Sequence, residues 1–205
     1  GTQSRSDRVG KIKSELTIGN ISDAMNNKLD QILKRYEGIF LLKGELPTVA
    51  KVDPFDIRLK TEVPVSAQSY RTSFAHRPIL KDILNKNEKA KLMTKANSPW
   101  NSPTLLVKKP NGKHRLVCDF RAANTQIESD HYPLPVIDDL LVNLHDSRYF
   151  IACDLSQGFH QIPITDRASE ALTVGNEFGQ FRWLRMPMGC KSSPAFFQRT
   201  MDKVF

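Results

Sequence analysis

Asp154 ends an apolar run, Phe150, Ile151, Ala152 and Cys153, that reads as a buried strand, and Leu155, Gly158 and Phe159 follow it closely. A carboxylate at a strand end can hold a cation. A glycine and a flat aromatic ring just behind it can receive a sugar. The set suits a metal-bound nucleotide. The plainer alternative is an acid that ends a strand and caps the turn at Ser156. Upstream, Lys108, Lys109, Lys113 and Arg115 surround Pro110, Asn111 and Gly112, and Asp119 and Arg121 come next. Guanidinium suits bidentate phosphate contact and ammonium acts as a point charge. A basic hairpin is equally compatible with a plain soluble edge. Asp119 and Arg121 read as a structural ion pair supporting that hairpin. Downstream lie Arg185, Met186, Pro187, Met188 and Gly189, where glycine permits close backbone approach.

The elements that must position these groups follow from periodicity and turn chemistry. Residues 1–20 are polar and aperiodic and read as a flexible leader; residues 1–4 are set aside from fold reasoning. Ser22 and Asp23 make an N-cap for a helix carrying Met25, Leu29, Ile32, Leu33 and Tyr36, with Gly38 as terminator. Residues 45–54 read as a linker and 55–59 as a short strand. A second helix is predicted over 78–95. The prolines at 99 and 103 impose an extended connector. Residues 104–108 and 113–120 then form two strands about a type I′ Asn-Gly turn. A helix over 136–144 faces Ile137, Leu140, Leu141 and Leu144 inward. Residues 149–154 are the buried strand. Residues 172–174 and 178–184 form a hairpin turning near Gly175 and Asn176, and Pro194 opens a final helix. Mixed strands and helices without regular alternation imply an α+β fold.

The chain of 205 residues carries a net charge of +8. Between Arg58 and Arg121 there are 14 basic residues against 4 acids, Glu62, Asp82, Glu88 and Asp119. Such a block favours a polyanionic partner, or serves as a solvated face. Cys118, Cys153 and Cys190 are scattered and read as free thiols of a reducing compartment. The histidines do not fall at zinc-ligand spacing, and no apolar run approaches the length of a membrane span, about 20 residues.

In this order and at this spacing the three blocks resemble the reverse transcriptase of LTR retrotransposons of the gypsy/Ty3 type. Pro64-Val65, Tyr70-Arg71, the Ser98 to Pro103 connector and Tyr132-Pro-Leu-Pro135 also match it. The resemblance implies a right-hand polymerase fingers subdomain with an incomplete palm, preceded by a helical N-terminal segment. Its divisions are a leader and helix over 1–50, fingers over 51–127, the first part of the palm over 128–161, a fingers return hairpin over 162–185, and the start of a palm helix over 186–205. It implies Asp154 as catalytic residue and Mg²⁺ ligand, with the Leu155 carbonyl assisting. Lys108, Lys109 and Arg115 would fold over the incoming triphosphate, Phe159 would lie under the sugar, and Met188 and Gly189 would face the templating base. Met188 stands where the family usually has Phe, and Cys190 and Ser192 also depart from its pattern.

The family's second carboxylate motif, an aromatic residue before a pair of aspartates, is not within these 205 residues. The expectation is a chain inactive by itself, holding Mg²⁺ weakly or not at all. Its expected partners are an RNA or DNA template–primer and a deoxynucleotide, in an intracellular setting away from membranes. The apolar face of the terminal helix, with Phe196, Phe197, Met201, Val204 and Phe205, would meet a second copy or a host protein. The alternative reading is a non-catalytic retroelement module that binds a protein or nucleic acid.

Overall fold

The Ser22 side chain accepts a hydrogen bond from the Met25 N–H and starts a helix where the sequence marks one. The computed structural model describes the backbone of residues 2–145 and 147–205, and the side chains of these except 2–6, 140 and 143. The side chain of Leu140, expected above to face inward, lies outside what is described. The chain divides into two units, Gly1–Pro47 and Thr48–Phe205.

The first unit holds α1 (Thr2–Glu15) and α2 (Asp23–Arg35). Val9, Ile12 and Leu33 form its core, with Leu29, Phe40 and Leu42 packed against it. Residues 2–15 are thus helical, where a flexible leader was expected. Two apolar residues on one face are too sparse to show as periodicity, yet they suffice once Leu33 covers them. Arg8 closes the unit with a hydrogen bond to the Phe40 carbonyl at 2.9 Å and an ion pair to Glu45 at 2.6 Å.

The second unit holds α3 (Arg77–Lys89), β1 (Met93–Ala96), β2 (Ser102–Lys108), β3 (His114–Cys118), α4 (Arg121–Gln126), α5 (Ile137–Asn143), α6 (Gly158–Gln161), α7 (Asp166–Ala171), β4 (Val174–Asn176), β5 (Gly179–Trp183) and α8 (Ser193–Val204). The five strands make one sheet in the order β1-β5-β4-β2-β3. All neighbours are antiparallel except β2 and β4, which run parallel through Ser102 and Val174. The fold is α+β. Its core gathers Phe55, Ile57, Leu80, Leu84, Phe120, Leu172 and Phe181 from strands, helices and loops alike. No helix of the described residues is long and apolar enough to cross a membrane.

Several local expectations are corrected. Helix α3 ends at Lys89 rather than near 95, because Lys91 enters the left-handed region at φ 54. The Leu92 and Lys91 N–H groups then donate to Asn87 and Glu88, a Schellman closure that frees Met93 for β1. In the β2–β3 hairpin Gly112 takes φ 79 and Asn111 does not take positive φ. The turn is therefore a three-residue loop with glycine in the left-handed position, not type I′. The β4–β5 turn sits at Glu177 and Phe178, because Asn176 still pairs with Gly179. Residues 55–59 form no strand, only isolated bridges from Phe55 to Ile164 and from Leu59 to Ile127.

The largest correction concerns 136–155. Ile137 and Leu141 in α5 are 71% and 60% exposed, and Ile151 is 89% exposed. Residues 149–154 join no ladder among the described residues. An apolar run signals that burial is favourable, but a strand exists only through a neighbour that takes its hydrogen bonds.

Candidate nucleotide and template site

The β2–β3 register decides which basic groups can act together. Val107 lies opposite Arg115, and Lys108 lies opposite His114. The Lys109 N–H donates to the Lys113 carbonyl at 2.7 Å, which extends the ladder by one rung. Alternation therefore puts Lys109, Lys113 and Arg115 on one face and Lys108 on the other. On Lys108's side the His114 ring tilts against His76, with centroids 5.1 Å apart. Residue order alone had grouped Lys108 with Arg115. All four basic residues are exposed.

Below the hairpin, Arg121 grips Asp119 with two hydrogen bonds, of 2.9 Å and 2.7 Å. The Tyr70 hydroxyl donates to the same carboxylate at 2.6 Å. These bonds, Arg121 first and Tyr70 second, hold the Asp119 carboxyl well below the usual range. The ion pair expected from the sequence is present, and Tyr70 is an addition to it. Tyr70 is 49 residues away in the chain, so spacing carried no sign of its role.

The Gly189 turn stands against the foot of the same hairpin arm. Gly189 has φ 93, and a Cβ there would lie 3.4 Å from the Cys118 carbonyl and 3.5 Å from the Phe120 ring. These are ordinary contacts for a Cβ, and the strain on any side chain would come from the backbone angle. The Asn124 amide spans the turn, donating to the Gly189 carbonyl at 3.0 Å and accepting from the Lys191 N–H at 2.9 Å. The Ser193 hydroxyl donates to the Pro187 carbonyl at 2.9 Å. Met188 is left 56% exposed at the tip of a turn held at both ends.

Asp154 is exposed in the unpaired segment. The Leu155 carbonyl accepts the Gly158 N–H at 3.0 Å. Gln157 adopts φ 49 between them and leads into α6. A Cβ on Gly158 would meet the Phe197 ring at 3.0 Å, so a side chain there would require that ring to shift by a few tenths of an ångström. Phe159 is half-buried, with its ring 4.9 Å from that of Phe197. His160 stacks on Trp183 at 5.2 Å, and its Nδ1 lies 3.2 Å from the Met186 carbonyl. Burial pushes the His160 imidazole below its ordinary pKa. The His160 contact ties α6 to the start of the Gly189 turn, and the sequence showed no sign of it.

Among the described residues no group of three or more His, Cys, Asp or Glu side chains could hold a metal ion. Asp154 and the Leu155 carbonyl supply two oxygens toward an octahedron that Mg²⁺ ordinarily completes with water and substrate phosphates. A cleft of about 500 Å³ lies elsewhere, bordered by Arg58, Arg167 and Arg199. There Asp56 pairs with Arg167 and Asp130 with Arg199, each through a contact of 2.7 Å or less. Two of its three arginines are thus neutralised locally.

Residues 107–205 match the reverse transcriptase (RNA-dependent DNA polymerase) family. The Pol polyprotein of transposon 412 from Drosophila melanogaster is 34% identical over 209 residues, covering 99% of this chain and 17% of that protein. The Pol polyprotein of transposon gypsy from the same organism is 30% identical over 181 residues, covering 85% and 17%. The foamy viral protease–reverse transcriptase, solved in complex with an RNA/DNA hybrid, superimposes with a TM-score of 0.76 at 22% identity, over 99% of this chain and 26% of that one. The structural likeness is one of fold. The chain spans about a sixth of the length of these two relatives, 17% of each.

Proposed function

This chain belongs to the reverse transcriptases of retrotransposon Pol polyproteins, and we propose that it supplies the part of such an enzyme that grips the template–primer and the incoming deoxynucleotide. The observation that carries this reading is the junction of hairpin and turn. Arg115 and Lys109 share a face of the hairpin, and the Gly189 turn is bound to its foot through Asn124. Phosphate charge would be met by Lys109 and Arg115, with Lys108 approaching from the opposite face. Met188 and Gly189 would border the templating base. Phe159 would lie under the sugar, with Asp154 and the Leu155 carbonyl beside the reacting end. Reverse transcriptases generally use divalent metal ions in nucleotidyl transfer.

The alternative, a non-catalytic module that binds a protein or nucleic acid, finds no support in the comparisons, and neither does contact with a second copy or a host protein through α8. Nucleic acid is the partner of the solved foamy viral relative, and it is the partner proposed here.

Fluorescence anisotropy with a recessed RNA/DNA duplex tests the reading. Each phosphate neutralised contributes about −0.9 to the slope of log affinity against log salt. Three such contacts predict a loss of about 40-fold between about 50 and about 200 mM salt. Lys109→Glu with Arg115→Glu should flatten the slope by about two contacts. Undetectable binding at the lower salt, or an unchanged slope in the double variant, would overturn it. For Phe159, the polymerase containing Phe159→Val should accept ribonucleotides more readily, and unchanged sugar discrimination would leave that ring a packing role.

A further inference from the structure

We propose that Asn124 is a positioning residue: its side-chain amide sets the conformation of the Gly189 turn and thereby presents Met188 to the bound duplex. This rests on the reading of the chain as a template–primer grip. The turn needs an external constraint. Gly189, at φ 93, lacks the steric limits that would hold another residue in one backbone state. Asn124 supplies that constraint from 65 residues away, binding the carbonyl of Gly189 and the N–H of Lys191 at the same time. The task requires one donor and one acceptor on a short, rigid group. Asp offers no donor and Ala offers neither. Asn124 is itself fixed, because α4 begins directly after Phe120 and the Asn124 N–H donates to the Phe120 carbonyl at 2.7 Å. The same stretch of chain leads back through β3 to Arg115. The turn that carries Met188 and the arm that carries Arg115 are therefore set by one frame. Met188, a large apolar side chain left 56% exposed, is thereby held in one place on the surface.

The test is amide hydrogen exchange by NMR on the whole chain, joined to duplex affinity at several salt concentrations. In Asn124→Ala the Lys191 amide should exchange at least about tenfold faster, as expected when a protecting hydrogen bond is lost, while amides of the α1–α2 unit stay unchanged. In Asn124→Asp the acceptor for Lys191 survives, so that amide should remain protected while the Gly189 carbonyl loses its donor. Should the Ala variant fold poorly, the Asp variant still reports through shifted Met188 and Gly189 signals. Duplex affinity should fall several-fold in Asn124→Ala with the salt slope unchanged, because no phosphate contact is removed and no charge is added. Unaltered Lys191 exchange in Asn124→Ala would overturn the clamp, whatever the chain binds. A faster Lys191 amide with unaltered affinity would overturn the positioning role. If the unmodified chain binds no duplex, the grip itself fails together with that role, while the exchange result still decides the clamp.

Discussion

The Phe159 ring lies 4.9 Å from that of Phe197 at an angle of 47° and packs on the main core. Complete burial of such a ring is worth several kcal/mol, and Phe159 is only half-buried. Phe159→Ala should therefore cost about 1–3 kcal/mol, below the range for a fully enclosed Phe. If the rings interact directly, a double-mutant cycle with Phe197→Ala will show a coupling of about 0.5–1.5 kcal/mol in urea unfolding. Strict additivity would mean that the two rings contribute independently. At this scale the sequence identified residue types well and their partners poorly. Asp119 and Arg121 were legible because they stand two residues apart. Tyr70 and Asn124 were not, because their bonds cross 49 and 65 residues.

Helix α3 illustrates how an element's limits are decided. Its apolar spacing continues past Lys89, but Lys91 turns left-handed and closes a Schellman motif. An L-residue other than Gly, Asn or Asp is strained there by roughly 1 kcal/mol. Nothing in the helical pattern marked that stop, since lysine is a poor signal for it. Lys91→Gly should raise stability by about 0.5–1 kcal/mol, which for a unit of this size is a gain of about 1–4 °C in Tm. A lower Tm would mean that the lysine side chain makes up for its own backbone. The hairpin from β2 to β3 behaved differently. Its position was set by Pro110, Asn111 and Gly112, while the kind of turn was set by which of Asn111 and Gly112 took positive φ.

At the scale of the whole molecule the Gly1–Pro47 unit offers a pH test of its own. Hydrogen bonds from Arg8 and then from the Leu42 N–H lower the Glu45 carboxyl to about 2. A carboxyl depressed on folding adds stability above its unfolded pKa, near 4.3, and loses it as pH falls toward the folded value. The Arg8–Glu45 closure should therefore hold at neutral pH and weaken between about pH 4 and pH 2. The Leu42 amide shift, followed by NMR, should titrate near the lower limit, and Glu45→Gln should abolish that titration. A midpoint in the ordinary glutamate range would show that the Arg8 contact does not persist in solution.

The sequence by itself determined the helix begun at Ser22, the basic hairpin, the helix opened by Pro194, the α+β class and the family. Caps, turns and periodicity act within a few residues, and the three chemical blocks are read in order along the chain. Tertiary structure alone decided that Lys108 and Arg115 lie on opposite faces, because register belongs to a pair of strands and not to either one. It decided that Asn124 holds the Gly189 turn, because the donor and acceptor come from distant segments. It also decided that Phe150 and Ile151 are exposed, since an apolar run carries the tendency to be buried but not the neighbour that buries it.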